Sequence, residues 1–242
     1  MRPGVLPATR ARPGKGRRGA AARRDDRSGA ADDAELRALA ADASIDAGLS
    51  VSIDAALSVD GISVRDQFLA PAQIRALVDC ARLRRARGDF DAARIGSGQS
   101  LQRREDIRGD STCWITPPLW PAEQTLLEDL ERLRSELNRE SLLGLFELEL
   151  HYAWYPPGAG YARHVDQPQG RAQRRVSLVL YLNQDWTSAA GGELRIFDAA
   201  GYRDIEPIAG RLVCFLTAGR EHAVLPTHRD RLSVSGWFRT RD

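Results

Sequence analysis

After Leu143 the chain breaks into short β-rich runs: FELELHYAWY (146–155), VSLVLYL (176–182), GELRIF (192–197), RLVCFL (211–216), HAVL (222–225) and RLSVSGWF (231–238). Turn-forming stretches at Pro156–Gly160, Asn183–Trp186, Gly191–Gly192, Gly201 and Pro226–Asp230 separate them. No intervening segment is long enough to hold a crossover helix, so parallel pairing is closed to these strands. Many short strands with turn signals fold as an antiparallel sandwich or jelly roll. Before Leu143 the periodicity is helical. Ile74, Leu77, Val78 and Ala81 follow Pro71 in a helix expected over 71–88. Leu126, Leu127, Leu130, Leu133 and Leu137 follow Pro121 in a helix expected over 121–138, with charges on its opposite face. A shorter helix is expected at 33–43, and 45–67 reads as a connector leading to a strand. The expected fold is therefore mainly β with flanking helices, its N-terminal helices packed on one sheet.

Composition narrows the function classes. The 242 residues are 43% hydrophobic, enough for one sizeable core plus extensions. No run of 18 apolar residues exists, so no helical membrane span or membrane partner is expected. Cys80, Cys113 and Cys214 are odd in number and far apart, which argues against a disulfide scaffold or a zinc ribbon and points to a reducing, cytoplasmic setting. The formal charge of +2 conceals an asymmetry: residues 1–27 carry nine cationic side chains against Asp25 and Asp26, and the remainder is acidic. Lys15 is the only lysine, so the Arg- and Ala-rich start reads as coding bias rather than a nucleic-acid-binding arm. Residues 1–32 are expected to be a disordered basic tail, with one domain over 33–242: helical support over about 33–140 and a β core over about 144–240.

Four histidines limit the possible chemistry: His151, His164, His222 and His228. In His164-Val165-Asp166, alternate residues of an extended segment face the same way, so imidazole and carboxylate can meet on one ion. His222, opening a later strand, can complete a two-histidine, one-carboxylate face of the kind that binds non-haem Fe(II). His-x-Asp by itself is a weak signal, because His228-Arg229-Asp230 spells it again. That second copy also spells a kinase catalytic triplet, but no Gly-rich loop or Asp-Phe-Gly accompanies it, and its Pro226 turn suits a surface role. His151, inside an apolar strand, reads as a satisfied core or rim residue.

Arg231 strengthens the first triplet. It lies nine residues after His222, and its strand alternates Arg231, Ser233, Ser235 and Trp237 against Leu232, Val234 and Phe238. A polar inner face on a core strand lines a pocket rather than filling an interior. The charges explain the arginine. Fe²⁺ with one carboxylate is +1, and a chelating 2-oxoglutarate dianion brings the site to −1. The far carboxylate then needs a buried cation, and a guanidinium fork matches it. Tyr181 can add a phenolic donor.

These segments together resemble the Fe(II)/2-oxoglutarate dioxygenases of prolyl hydroxylase type, in particular bacterial relatives of the hypoxia-inducible-factor prolyl hydroxylases. The matching text is IRGD…WI (107–115), YPPGAGYARHVD (155–166), LYLNQDW (180–186), GGELRIF (191–197), DIEP (204–207), EHAVLP (221–226) and RLSVSGWF (231–238). The resemblance implies a double-stranded β-helix with His164, Asp166 and His222 on the metal and Arg231 and Tyr181 on the 2-oxoglutarate 5-carboxylate. It implies Tyr155, Trp237, Leu194 and Val179 around the cosubstrate. Arg108, Asp110, Trp114 and Arg174 then belong to a substrate loop, which is mobile over the site, with Asp110 pairing to Arg174 when substrate is bound.

The implied reaction uses Fe(II), 2-oxoglutarate and O2, with ascorbate as reductant, to hydroxylate a prolyl residue of a protein or peptide, a translation factor being one such class. A monomer is expected. Gln167-Pro168 in place of Asn-Pro, and Leu180 in place of an aromatic residue, separate this chain from the animal members and leave the substrate open. A hydroxylase of a small molecule such as a free amino acid and a non-enzymatic β-barrel binding module are the alternative readings.

Overall fold

Alternation along the strands decides the architecture. The computed structural model describes residues 57, 60–94, 104, 106–166 and 173–241, so the basic segment 1–32 and the helix expected at 33–43 lie outside the described residues. The described elements are β1 (Ile62–Arg65), α1 (Pro71–Ala86), β2 (Asp91–Ala92), β3 (Ser111–Trp114), α2 (Pro121–Ser141), β4 (Glu147–Tyr155), β5 (Tyr161–His164), β6 (Arg174–Tyr181), β7 (Leu194–Asp198), β8 (Gly201–Ile205), β9 (Leu212–Leu216), β10 (His222–Val224) and β11 (Arg231–Arg239). Seven strands form a major sheet in the order β1-β9-β6-β11-β4-β3-β2, and four form a minor sheet in the order β5-β10-β7-β8. Every strand pair within them is antiparallel, as a jelly roll requires. No helix among the described residues is long and apolar enough to cross a membrane.

The nine-residue β11 lies between β6 and β4, paired residue for residue from Arg231 opposite Tyr155 to Arg239 opposite Glu147. Gly236 permits this close pairing, because a Cβ there would meet the Glu149 carbonyl oxygen at 2.0 Å. On one face of the major sheet Leu150, Leu178, Leu180, Val234 and Phe238 pack with Leu77, Leu126, Leu130 and Leu137 of the two helices. Each such buried side chain contributes roughly 1.5–3 kcal/mol. The other face looks toward the minor sheet, and the site lies between them.

Both helices start with proline at the first helical position, where its missing N–H costs nothing. The Trp120 N–H at the head of α2 is taken by Glu123 Oε2 at 3.1 Å. The same carboxylate, wholly buried, accepts two hydrogen bonds from the Arg84 fork of α1, both 2.7 Å, which fixes one helix against the other. Glu123 and Asp129 are thus buried, whereas the sequence pattern placed the charges of α2 on its solvent face.

Other departures have local causes. Ser111–Trp114, expected within a mobile loop, is strand β3 because it completes the free edge of β4, with Trp114 opposite His151. Gly201, expected as a break, opens β8 in a tight turn that pairs Asp198 with Gly201. The helix expected to end at 138 continues to Ser141, where Leu142 takes a left-handed φ of 50° and the Asn138 side chain holds both the N–H and C=O of Leu145 at 2.7 Å.

Candidate functional site

His164 and His222 are direct register partners across β5 and β10, and Asp166 follows His164 by two residues. One donor atom from each lies within 4.8 Å of the others. His164 Nε2 and His222 Nε2 each stand 3.6 Å from Asp166 Oδ1, longer than a good hydrogen bond. Both imidazoles turn their Nδ1 to a backbone carbonyl, His164 to Ala162 at 2.9 Å and His222 to Arg220 at 3.2 Å. With the proton held there, each Nε2 lone pair faces the space in front of Asp166, which is the tautomer a metal needs. Tyr161 stacks on the His164 ring at 3.6 Å, and Phe215 meets the His222 ring edge-on at 4.9 Å, so neither ring can turn freely.

The second carboxylate oxygen of Asp166 accepts the Ser177 hydroxyl at 2.7 Å, and Ser177 lies 3.1 Å from the Thr217 hydroxyl. Burial opposes ionisation of Asp166, yet His222 and His164 beside it hold its carboxyl well below the usual range. Burial pushes His164 down, whereas for His222 the Asp166 carboxylate outweighs burial and pushes it up. Three donors on one side of a point, with an ionised carboxylate among them, fit a divalent ion that keeps its other positions open to exogenous ligands.

The deeper end of the same cavity carries a cation. Arg231 is 1% exposed, its Nε donates to the Gly192 carbonyl at 2.8 Å, and among the described residues no carboxylate pairs with it. Its guanidinium lies between the rings of Tyr155 and Tyr181, 5.0 and 5.1 Å from their centroids. The Tyr181 hydroxyl is buried, with no hydrogen-bond partner among the described residues. A buried cation and an unpartnered phenol fit a carboxylate, since either alone would be costly. Gly192 is needed beside them: its φ is +72°, and a Cβ would press on Arg231 and Thr227 at 3.1 Å.

The structure gathers most of the expected residues. Tyr155, Val179, Leu194 and Trp237 line this cavity together with Arg108, Arg231 and the triad. Trp114 stands at its rim, 49% exposed, 5.0 Å from the His151 ring. The Asp110–Arg174 pair expected with substrate bound is not formed here. Asp110 is instead held by both arms of Arg108 at 2.7 and 3.0 Å, because residues two apart on an extended segment share a side. Arg174 lies over Trp237 at 3.4 Å and bonds the Asp166 carbonyl and Glu149. His228 is exposed, its Nδ1 3.0 Å from the Ala189 carbonyl, in keeping with a surface turn.

His151 departs from its reading as a satisfied residue: among the described residues its buried Nδ1 has no hydrogen-bond partner, and the ring lines the cavity. Sequence reasoning also missed Ser177 and Thr217. A polar residue sharing a face with Val179 and Tyr181 was the available signal for Ser177; nothing local marks Thr217.

A triad and a buried diacid anchor on the same jelly-roll cavity are the requirements of a non-haem iron oxygenase that uses a keto-diacid. Comparison with known proteins agrees. Residues 150–239 match the 2OG-Fe(II) oxygenase superfamily. A Pseudomonas putida prolyl-4-hydroxylase superposes with a TM-score of 0.74 and 40% identity, covering 80% of this chain and all of that one. A prolyl hydroxylase from Trichoplax adhaerens gives a TM-score of 0.71 at 23% identity, over 90% of this chain and 94% of that one, which speaks for the fold alone. Egl nine homolog 1 of Homo sapiens is 34% identical over 189 residues, 74% of this chain and 43% of that protein. The chain spans about half the length of the Egl nine homolog 1 proteins it matches. The chain belongs to the 2OG-Fe(II) oxygenase superfamily, among relatives that are prolyl hydroxylases.

Proposed function

We propose that this chain hydroxylates a prolyl residue of a protein or peptide, converting 2-oxoglutarate and O2 to succinate and CO2. The observation that carries the reading is the pairing, in one cavity, of the His164–Asp166–His222 donors with the buried Arg231, which among the described residues has no carboxylate partner and lies against the Tyr181 ring. The likeness to the Pseudomonas putida prolyl-4-hydroxylase over its whole length supports the choice of substrate class.

His164, Asp166 and His222 would hold Fe(II). When bound, the ion supplies oxygen activation coupled to decarboxylation of the keto-diacid. Everything else falls to the chain. Ser177 orients the Asp166 carboxylate so that its other oxygen faces the histidines. Arg231 and Tyr181 take the far carboxylate and thereby set the direction in which the diacid lies. Val179, Leu194, Tyr155 and Trp237 give the cavity apolar walls that exclude water and strengthen that charge pairing. Arg108, Asp110, Trp114 and Arg174, around the mouth, would meet the polypeptide. Ascorbate would serve as reductant, and a translation factor is one class of protein substrate to test.

The test is direct. Protein supplied with Fe(II), 2-oxoglutarate and a prolyl peptide should release succinate and add one oxygen atom to the peptide by mass spectrometry. Asp166→Ala should abolish both. Turnover of a free amino acid in preference to every peptide and protein offered would replace the polypeptide reading, and Asp166→Ala turning over like wild type would remove the site itself.

A further inference from the structure

Two residues lining the cavity, His151 and Trp237, each carry a buried nitrogen that neither the metal donors nor the diacid anchor uses, and that has no hydrogen-bond partner among the described residues. His151, in the middle of β4, is 4% exposed, and its Nδ1 has no hydrogen-bond partner among the described residues. The ring is clamped between Trp114, with centroids 5.0 Å apart, and Trp237, stacked at 5.4 Å and 27°. Its orientation is therefore fixed by packing. Leaving such an atom unpaired costs about 1–3 kcal/mol, a cost that an apolar residue at this place would avoid.

Strand register locates the ring relative to a bound diacid. On the cavity face of the major sheet, Tyr181, Ser233 and Ala153 form one cross-strand row, beside the Arg231 anchor. Two residues along β11, Val179, Ser235 and His151 form the next. The row after that contains Trp237 and Ser177, and Ser177 holds Asp166. A five-carbon diacid reaching from Arg231 to an ion at Asp166 must cross the middle row. There Val179 is apolar and the Ser235 hydroxyl already shares a hydrogen bond with Ser233 at 3.3 Å, whereas the His151 nitrogen has no partner among the described residues. A carboxylate that binds a metal through one oxygen has a second oxygen in need of a donor, and in a dry cavity a side chain must supply it.

We propose that His151 binds the cosubstrate, its Nδ1–H donating to the metal-side carboxylate of 2-oxoglutarate. The inference rests on the diacid reading given above. Burial, helped by nearby Arg108, pushes the imidazole pKa down to about 4, so near neutral pH the ring is an uncharged single donor and adds no cation beside the metal.

Two variants separate the nitrogen from the ring. His151→Phe keeps the aromatic stack and removes the donor; His151→Asn places an amide nitrogen near the Nδ1 position and shortens the ring. The measurement is calorimetric titration of 2-oxoglutarate into protein loaded with Mn(II). His151→Phe should weaken 2-oxoglutarate binding about tenfold, with Mn(II) affinity in the absence of the diacid held within twofold, and His151→Asn should recover most of the loss. Wild-type affinity in His151→Phe, an equal loss of Mn(II) binding, or no recovery in His151→Asn would each overturn the assignment.

A readout on the wild type covers the case of a misfolded variant. In Zn(II)-loaded protein labelled with ¹⁵N-histidine, where only four histidines contribute, adding 2-oxoglutarate should shift the His151 Nδ1 resonance, and an unmoved resonance counts against the contact. Wild-type protein that binds Mn(II) but no 2-oxoglutarate would instead defeat the diacid reading, a failure distinct from that of His151 alone.

Discussion

On the helix side of β11, Leu232, Val234 and Phe238 lie among the leucines of α1 and α2; on its other side, one residue away in each case, Arg231, Ser233, Ser235 and Trp237 face the cavity. Both sets are buried or nearly so. The first makes dispersion contacts and little else. The second keeps a guanidinium without a carboxylate, a phenol without a partner across on β6, and an imidazole nitrogen without a partner across on β4. β11 thus carries an apolar row on one face and a charged and polar row on the other, although among the described residues unpartnered polar atoms are not confined to the cavity side: the Tyr152 hydroxyl and Trp154 Nε1, across on β4, are buried on the helix side. What sets the cavity side apart is the buried cation of Arg231, whose missing carboxylate a ligand can supply.

That contrast can be broken from either side. Phe238→Ala opens a cavity in the helix-side core and should cost about 3–5 kcal/mol of unfolding free energy by urea denaturation. The fraction that stays folded should bind 2-oxoglutarate as before. Arg231→Leu should do the reverse. Loss of the buried cation should weaken 2-oxoglutarate binding by about 2–5 kcal/mol, thirtyfold or more, while the ligand-free melting temperature stays level or rises because an unpaired buried charge has gone.

A third prediction uses pH. His151 titrates near 6.5 when unfolded and near 4 when folded. As pH falls, the unfolded chain takes up this proton first, so the folded state loses ground to it. The ring's contribution is complete above pH 6.5 and declines through the window down to pH 4, by up to about 3 kcal/mol. Metal-free His151→Phe should lack this part of the slope when unfolding is followed at stepped pH, and identical slopes in the two proteins would refute the prediction. The smallest effect is expected at Ser177→Ala. Losing the hydroxyl that orients Asp166 should lower metal affinity tenfold to a hundredfold, with ligand-free stability nearly unchanged.

The strands carrying the site were legible because their signals are local. His164 and Asp166 share a face by being two apart on an extended segment, and the Arg231, Ser233, Ser235, Trp237 alternation announces a polar inner face without any knowledge of its partners. The resemblance to the oxygenases supplied the roles of Tyr155, Val179 and Leu194, which periodicity could not.

What stayed hidden depends on which strands become neighbours. Ser177 reaches Asp166 only once β6 lies across the cavity from β5. Thr217 joins them only at the end of β9. The His151 ring is clamped only once Trp114 and Trp237 close around it. Arg84 and Glu123, 39 residues apart, likewise become a buried pair only when α1 meets α2. Side-chain direction along a strand is a property of the backbone, and so the amino-acid order alone determined which residues point together. Register between strands is set by the packing of the whole chain, and so which of those residues touch, and which polar atoms are left for a ligand, is fixed when the sheets assemble.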